Sequence, residues 1–297
     1  MHDADYHIDK QLVRRAFNRV ARHYDQSALL QHEVGKRMVA RLDAVRLTPA
    51  LILDAGAGTG LHTRALAQRY KDAHLIALDI AENMLLETRR QTPFWQRWID
   101  RRQTLICADI DALPLRAGCA DLIFSNLALQ WCNDLDTTLL ELRRALKPGG
   151  LLMFSSFGPD TLKELRASWA EVDAHSHVSR FIDMHDIGDA LVRAHFNTPV
   201  MDVEHFTLTY PDVQRLMRDL KLIGAHNLTA GRARGLTGKG RLQDFSNAYE
   251  RFRREGVLPA SYEVVYGHAW APEAAPQETS DGTVRVPLAS LRGRKAP

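Results

Sequence analysis

Long apolar runs are missing from this chain. No stretch approaches the roughly 20 uninterrupted apolar residues that a membrane span needs, although 45% of its 297 residues are hydrophobic. Cysteine is scarce as well. Cys107, Cys119 and Cys132 are the only three; an odd number without CxxC pairing or zinc-type histidine spacing excludes a disulfide scaffold and gives no metal site. They read as small core hydrophobes. Excess charge of one sign is also lacking, since 39 Lys and Arg against 36 Asp and Glu leave a formal net charge of +3. That is too little to argue for nucleic acid by itself. The first residues, Met1-His2-Asp3-Ala4-Asp5, form neither a basic leader nor an apolar signal core. The expectation is a cytoplasmic globular protein of one large or two small domains, with no membrane or nucleic-acid partner.

What is present is an ordered alternation. Residues 8 to 46 carry Val13, Phe17, Val20, Val34, Met38, Leu42 and Val45 at helical spacing, with a break near His23-Tyr24-Asp25. From Leu51 short apolar runs take turns with helical segments: LILDA, a helix from Leu61 to about Tyr70, HLIALD, and a helix from Glu82 to Arg90. TLICAD, DLIFSN, a helix ending at Leu146, the turn Lys147 to Gly150 and LLMFSS continue the series. Such an alternation builds parallel strands through right-handed crossovers, and five strands are in view by residue 156. Beyond them the pattern predicts helices from Thr161 to about Val172, Met184 to Ala194 and Asp212 to Ile223. Further strands are predicted near Val200 to Leu208 and at Tyr262 to Trp270. Residues 226 to 242, rich in Gly, Arg and Lys, read as a mobile loop. The end from Pro272 onward reads as a flexible tail.

The first strand ends in Asp54 and runs directly into Ala55-Gly56-Ala57-Gly58-Thr59-Gly60 before a helix begins. This is the crevice of doubly wound α/β sheets, where ligands bind beyond the carboxyl ends of the strands. Gly56, Gly58 and Gly60 let the backbone approach a ligand too closely for a Cβ. Their GxGxG spacing differs from the GxGxxG that aims amides at a pyrophosphate. S-adenosylmethionine has no phosphate and carries an ammonium and a sulfonium, which an acidic strand end suits; a tight packing turn is the alternative. Asp79, with Ile80 beside it, closes the next strand where a carboxylate can grip both ribose hydroxyls. Asp109 can accept the adenine amino proton while Ile110 lines the ring. Ser125 and Asn126 close the fourth strand, placed to meet the methionine end and the substrate.

LDAGAGTG, ALDIAENML, ADIDALPL, ADLIFSNLALQW and LKPGG, in this order, resemble the class I methyltransferase fold over roughly residues 45 to 157. The resemblance implies a Rossmann-like seven-stranded sheet whose last two strands form a reversed hairpin, with an insertion before the last strand. FNRVARHYDQSALLQHEVGKRM, SSFGPDTLKELR, HDIGDALVRAHF and LMRDLKLIGAHN look like the malonyl-acyl carrier protein O-methyltransferases of biotin synthesis, nearly across the whole chain. That family esterifies the free carboxylate of a malonyl thioester with a methyl group from S-adenosylmethionine. The resemblance implies a helical lid at 1–46, a methyltransferase domain at 47–271 with the loop 226–242, and a tail at 272–297.

A carboxylate is already ionised at neutral pH, so methyl transfer to it needs no general base. A cation to hold the malonyl carboxylate is expected instead, with the planar fork of arginine preferred. Arg144 is the first candidate, ahead of Arg180 and Arg166; the alternative is that Arg144 sits on a solvated helix face. Tyr24 is implied by the resemblance to stand in the lid near the sulfonium, where a ring face stabilises a cation; a core tyrosine is the alternative. Gln130 and Trp131 can wall the site, His62 and His74 read as packing residues, and the role of His226 stays open. The acidic carrier protein is expected to meet a basic patch at Arg232, Arg234, Lys239 and Arg241, unless that loop is merely solvated.

Three rivals share the core motifs. SFGPDTLKELR and LPASYEVVYGHAW also look like methyltransferase-like complex I assembly factors assigned to arginine hydroxylation of a partner subunit. A small-molecule or quinone methyltransferase and a non-enzymatic scaffold are the others. YDQSALLQ and IGAHN favour the malonyl reading.

Overall fold

The computed structural model describes residues 7–92, 102–175, 177–224 and 238–273, and two paired strands at 277–278 and 284–285. The N-terminal segment folds as α1 (Lys10–Val20), α2 (Tyr24–Ser27) and α3 (Leu29–Arg41). Then β1 (Leu51–Ala55), α4 (Leu61–Arg69), β2 (His74–Asp79), α5 (Glu82–Gln91), β3 (Gln103–Cys107) and β4 (Ala120–Ser125) follow in order. The second half holds α6 (Leu135–Ala145), β5 (Leu146–Phe157), α7 (Lys163–Ala170) and α8 (Met184–Arg193). It continues with β6 (Asn197–Tyr210), α9 (Val213–Leu222), α10 (Lys239–Glu250) and β7 (Leu258–Trp270).

The strands join one seven-stranded sheet in the order β3-β2-β1-β4-β5-β7-β6. β1 to β5 pair in parallel, whereas β7 runs antiparallel to both β5 and β6. The order reverses direction at β1 and β4, the switch point at which a doubly wound sheet opens a crevice. Both faces are covered at the centre of the sheet, which is why β1, β2 and β4 are largely apolar, buried runs. Successive side chains point to opposite faces. Ile52, Leu122, Phe124 and Met153 thus pack with Val34 and Met38 of α3, Trp169 of α7 and Phe245 of α10. Leu53, Ile123, Leu152 and Phe154 meet Leu139 and Leu142 of α6 and Ile187 and Leu191 of α8 on the other face.

The reversed hairpin β6/β7 stands as the resemblance implies, over a register from Asn197↔Trp270 to Tyr210↔Leu258. The N-terminal region is more broken than its periodicity suggests. Asp9 caps α1 by accepting from the Gln11 and Leu12 amides, a 3-10 turn at Ala21–His23 ends it, and Ala28 separates α2 from α3. The expected loop at 226–242 is corrected at its end: Lys239 opens α10, and Gly240 lies inside the helix. Phe245 and Tyr249, four residues apart and fully buried, outweigh the poor helix propensity of the glycine. The turn Lys147 to Gly150 is taken into the start of β5, with Gly149 at a positive φ and a register shift opposite Ala120 and Leu122. Most of the tail expected from Pro272, and His226 with most of the loop, lie outside the described residues.

Candidate active site

The glycine turn leaves β1 at the switch point, and its three glycines do different things. Gly56, Gly58 and Gly60 all have positive φ, at 82°, 56° and 75°, where a side chain is strained. A Cβ on Gly56 would stand 2.3 Å from the Ala128 Cβ, and one on Gly60 2.4 Å from the Thr88 Cγ2. A Cβ on Gly58 would meet nothing within 4 Å. Gly60 is therefore a packing glycine between α4 and α5. Gly56 and Gly58 line a narrow cleft of 80 Å³, together with Asp79, Ile80, Asp109, Ile110 and Asn126 from the strand ends.

Asp79 is buried, and both of its oxygens already accept backbone amides: Oδ2 from Gly58 at 2.9 Å and Oδ1 from Ala81 at 2.8 Å. Each carboxylate oxygen has a second lone pair, so the predicted grip on two hydroxyls remains open. Burial pushes its pKa up to about 6 against the pull of the two amides. Asp54 sits elsewhere than expected. It is not among the residues lining the cleft but lies behind the turn, accepting from the Thr63 hydroxyl at 2.5 Å. Burial, and then the charge of Asp79, raise its pKa to about 7 against the Thr63 bond.

Asp109 meets α1. Lys10 of α1 stands 2.8 Å from Asp109 Oδ1 and 2.7 Å from Asp111 Oδ2, so one oxygen of the predicted adenine acceptor is engaged by an ammonium. Ile110 lines the cleft, its Cδ1 3.7 Å from where a Cβ on Gly56 would stand. Val13, Phe17 and Tyr24 complete the roof of the cleft, and Trp131 its wall. Phe17 is edge-on to both Tyr24 and Trp131, with centroids 6.3 and 5.4 Å apart. These three rings give the cleft an aromatic side that a sulfonium favours. Burial first, then Asp79 and Asp25, hold the Tyr24 phenol far above its usual pKa. It is neutral at physiological pH, which suits a wall and not a base.

Two more contacts tie the N-terminal helices to the strand ends. Asn126 donates from Nδ2 to the Gln31 carbonyl of α3 at 3.0 Å and accepts from the Ser155 hydroxyl at 2.9 Å. Ser125 donates to the Ala55 carbonyl. Asp25 accepts from Thr59 at 2.6 Å and from Gln91 at 2.8 Å. Burial pulls this carboxyl upward, but bonds from His32, Thr59 and Gln91 outweigh it and hold the pKa at about 2.

Two further spaces share a wall residue with the cleft. A cavity of 1190 Å³ shares Cys132 with it and is lined by His7, Ile8, Arg166, His177 and Arg180. A smaller one of 100 Å³ shares Trp131 and is lined mostly by apolar residues, among them Phe157, Leu165, Phe181 and Tyr262. The 3-10 turn Leu129–Trp131 partitions them: Trp131 faces the cleft, and Gln130 lines both other spaces. Arg144, the first candidate for the carboxylate clamp, lines none of these three. It ends α6, where it pairs with Glu141 and donates to the Leu113 and Leu115 carbonyls at 3.0 and 2.7 Å. Its fork is used to fasten a loop. Arg180 and Arg166, the candidates behind it, do line the large cavity, and Arg166 is fixed there by the Pro159 and Thr161 carbonyls.

Residues 53–154 match the methyltransferase domain family. Among solved structures the chain is similar to the YcgJ protein of Bacillus subtilis, with a TM-score of 0.56 at 15% identity, over 82% of this chain and all of that one. A methyltransferase of Bacillus halodurans superposes with a TM-score of 0.54 at 17% identity, over 79% of this chain and 98% of that one. These likenesses show the fold. Among curated proteins, the malonyl-acyl carrier protein O-methyltransferase of Methylovorus is 59% identical over 271 residues, 91% of each chain. That of Gallionella capsiferriformans is 54% identical over 95% of this chain and 97% of its own. The chain belongs to the malonyl-acyl carrier protein O-methyltransferase family.

Within this family member, the sequence motifs led to one wall of the cleft, the strand ends. Of its roof they led only to Tyr24, through the resemblance. Lys10, Phe17, Asp25 and Gln31 reach the site from helices far away in the chain, and no local spacing announces them. Lys10 and Phe17 stand three residues before and four after the buried Val13, a spacing that reads only as helix packing. Among the described residues the one cluster with metal-ligand spacing is Asp160, His205 and Glu263, away from the cleft.

Proposed function

We propose that this protein transfers a methyl group from S-adenosylmethionine to the free carboxylate of malonyl-acyl carrier protein, giving the methyl ester that primes pimeloyl synthesis for biotin. The observation that carries the reading is the identity of 59% over 91% of the chain with an enzyme of that name. The cleft supports it. S-adenosylmethionine supplies an activated methyl group on its sulfonium. Asp79 has lone pairs left for the ribose, Ile80 and Ile110 flank the adenine position beside Asp109, and Gly56 and Gly58 let the backbone come close. Tyr24, Phe17 and Trp131 face the sulfonium. Segment 1–46 acts as a lid over domain 47–271.

An ionised carboxylate attacks in line, so catalysis rests on positioning and exclusion of water. Arg180, with Arg166 behind it, is the clamp for the malonyl carboxylate in the large cavity. The carrier protein meets Lys239 and Arg241, which are exposed on the first turn of α10; Arg232 and Arg234 of the same expected patch lie outside the described residues. No helix among those described is long and apolar enough to cross a membrane. Three unpaired cysteines and a carrier-protein substrate support a cytoplasmic location. The arginine-hydroxylase and quinone readings are not favoured by these relatives.

The test is an assay with S-adenosylmethionine and malonyl-acyl carrier protein, read by intact-protein mass spectrometry. A gain of one methyl group with malonyl and none with acetyl is expected. No gain in a preparation that binds the cofactor would defeat the proposal.

A further inference from the structure

The outer face of α1 and of the turn after it gathers basic side chains. From Lys10 to His23 the sequence KQLVRRAFNRVARH holds no acid. Lys10 turns inward to Asp109 and Asp111. Arg14, Arg15, Arg19 and Arg22 are all exposed, and their spacing puts them on one side, opposite the buried Val13 and Ala16. Two exposed arginines elsewhere are paired with acids, Arg37 with Glu33 and Glu204 and Arg193 with Asp136. Among the described residues no carboxylate pairs with any of these four, three on α1 and Arg22 on the turn that ends it. Like charges held together on one helix face repel each other, and a polyanionic partner relieves that repulsion.

Resting on the reading above, we propose that this face of the lid is a docking surface for the acidic acyl carrier protein. Two observations select that occupant. The apolar face of α1 is spent inside the protein, with Val13 and Ala16 at 2% and 6% exposure, so the helix has no hydrophobic side to insert into a lipid surface. The residues just before it, His7 and Ile8, line the 1190 Å³ cavity. A carrier seated on α1 therefore stands beside the rim through which its thioester arm enters. It also presses on the helix whose Lys10, Val13 and Phe17 roof the cleft, so docking favours the closed lid.

The test compares wild type with Arg15→Glu/Arg19→Glu, both residues outside the cleft. Acceptors are malonyl-acyl carrier protein and malonyl-pantetheine, which carries the same reacting carboxylate without the acidic protein. Expected is a rise of about tenfold in KM for the carrier substrate with kcat kept, a flatter salt dependence, and unchanged kinetics with malonyl-pantetheine. An unchanged KM and salt slope for the carrier substrate overturns the proposal; so does an equal loss with both acceptors, which marks a damaged lid. Anisotropy of labelled carrier protein, read without turnover, separates this from the reaction. Carrier binding lost in the variant supports the surface even if no methyl is transferred. Carrier binding kept, with single-stranded nucleic acid binding lost, overturns it.

Discussion

Asp25, one residue beyond Tyr24, accepts a 2.6 Å hydrogen bond from Thr59 inside the glycine turn. One contact thus joins the N-terminal helices to the loop that shapes the cleft. A charged hydrogen bond in a half-buried place is worth about 1.5–3 kcal/mol. Asp25→Ala is expected to weaken S-adenosylmethionine binding about tenfold, mainly through faster release in stopped-flow fluorescence. Asp25→Asn keeps an acceptor for Thr59 and should recover part of the loss; equal release rates in all three proteins would refute a latch.

Asp79 sets a pH dependence. Burial raises its pKa in the free protein to about 6, and ribose hydroxyls need the ionised form as acceptor. Bound cofactor then lowers the pKa, binding releases a proton, and affinity falls by up to tenfold per unit below about pH 6 while staying flat above it. The sign for folding is opposite. Because the folded pKa lies above the ordinary 3.8, the folded protein holds more protons in that window, and this group stabilises it as pH falls. Calorimetric titrations from pH 5 to 8 should show weaker binding in acid without unfolding, and Asp79→Ala should bind no cofactor at any pH.

Gly58 and Gly60 separate binding from packing. Gly60→Ala drives a methyl into Thr88 and is expected to lower stability by about 2–3 kcal/mol in urea unfolding. Gly58→Ala meets open space, costs about 1 kcal/mol for its positive φ, and places its methyl at the cleft. It should keep most of the stability and lose cofactor affinity. A Gly58→Ala protein with wild-type affinity would show that the cleft does not use this side of the turn.

Arg144 and Arg180 make a second contrast. Arg144→Ala removes the donors that fasten Leu113 and Leu115, so a stability loss of about 1–2 kcal/mol with an unchanged KM for the malonyl substrate is expected. Arg180→Ala should raise that KM about tenfold or more. Steady-state kinetics beside thermal unfolding decide it, and the reverse pattern would return the clamp to α6.

Local pattern carried the fold a long way. Two-faced apolar runs such as LILDA and LLMFSS report strands buried on both sides, and the acids and glycines that end them report the crevice, because each signal lies within a few neighbouring residues. Glycines near Lys239 suggest a loop, whereas Phe245 stacks on Trp169, far earlier in the chain, and Tyr249 packs edge-on to Phe245, so the helix is buried.

By itself, then, the sequence determined a doubly wound sheet, the glycine turn, the acids at the strand ends and the family they resemble. Only the tertiary structure decided that Asp54 stands behind the turn and that Arg144 fastens a loop. It also decided that Lys10 reaches Asp109 across 99 positions and Asp25 reaches Thr59 across 34. The physical reason is that a side chain's type and neighbours fix what it can donate or accept, while its partner depends on where the packing of distant elements brings an opposite group.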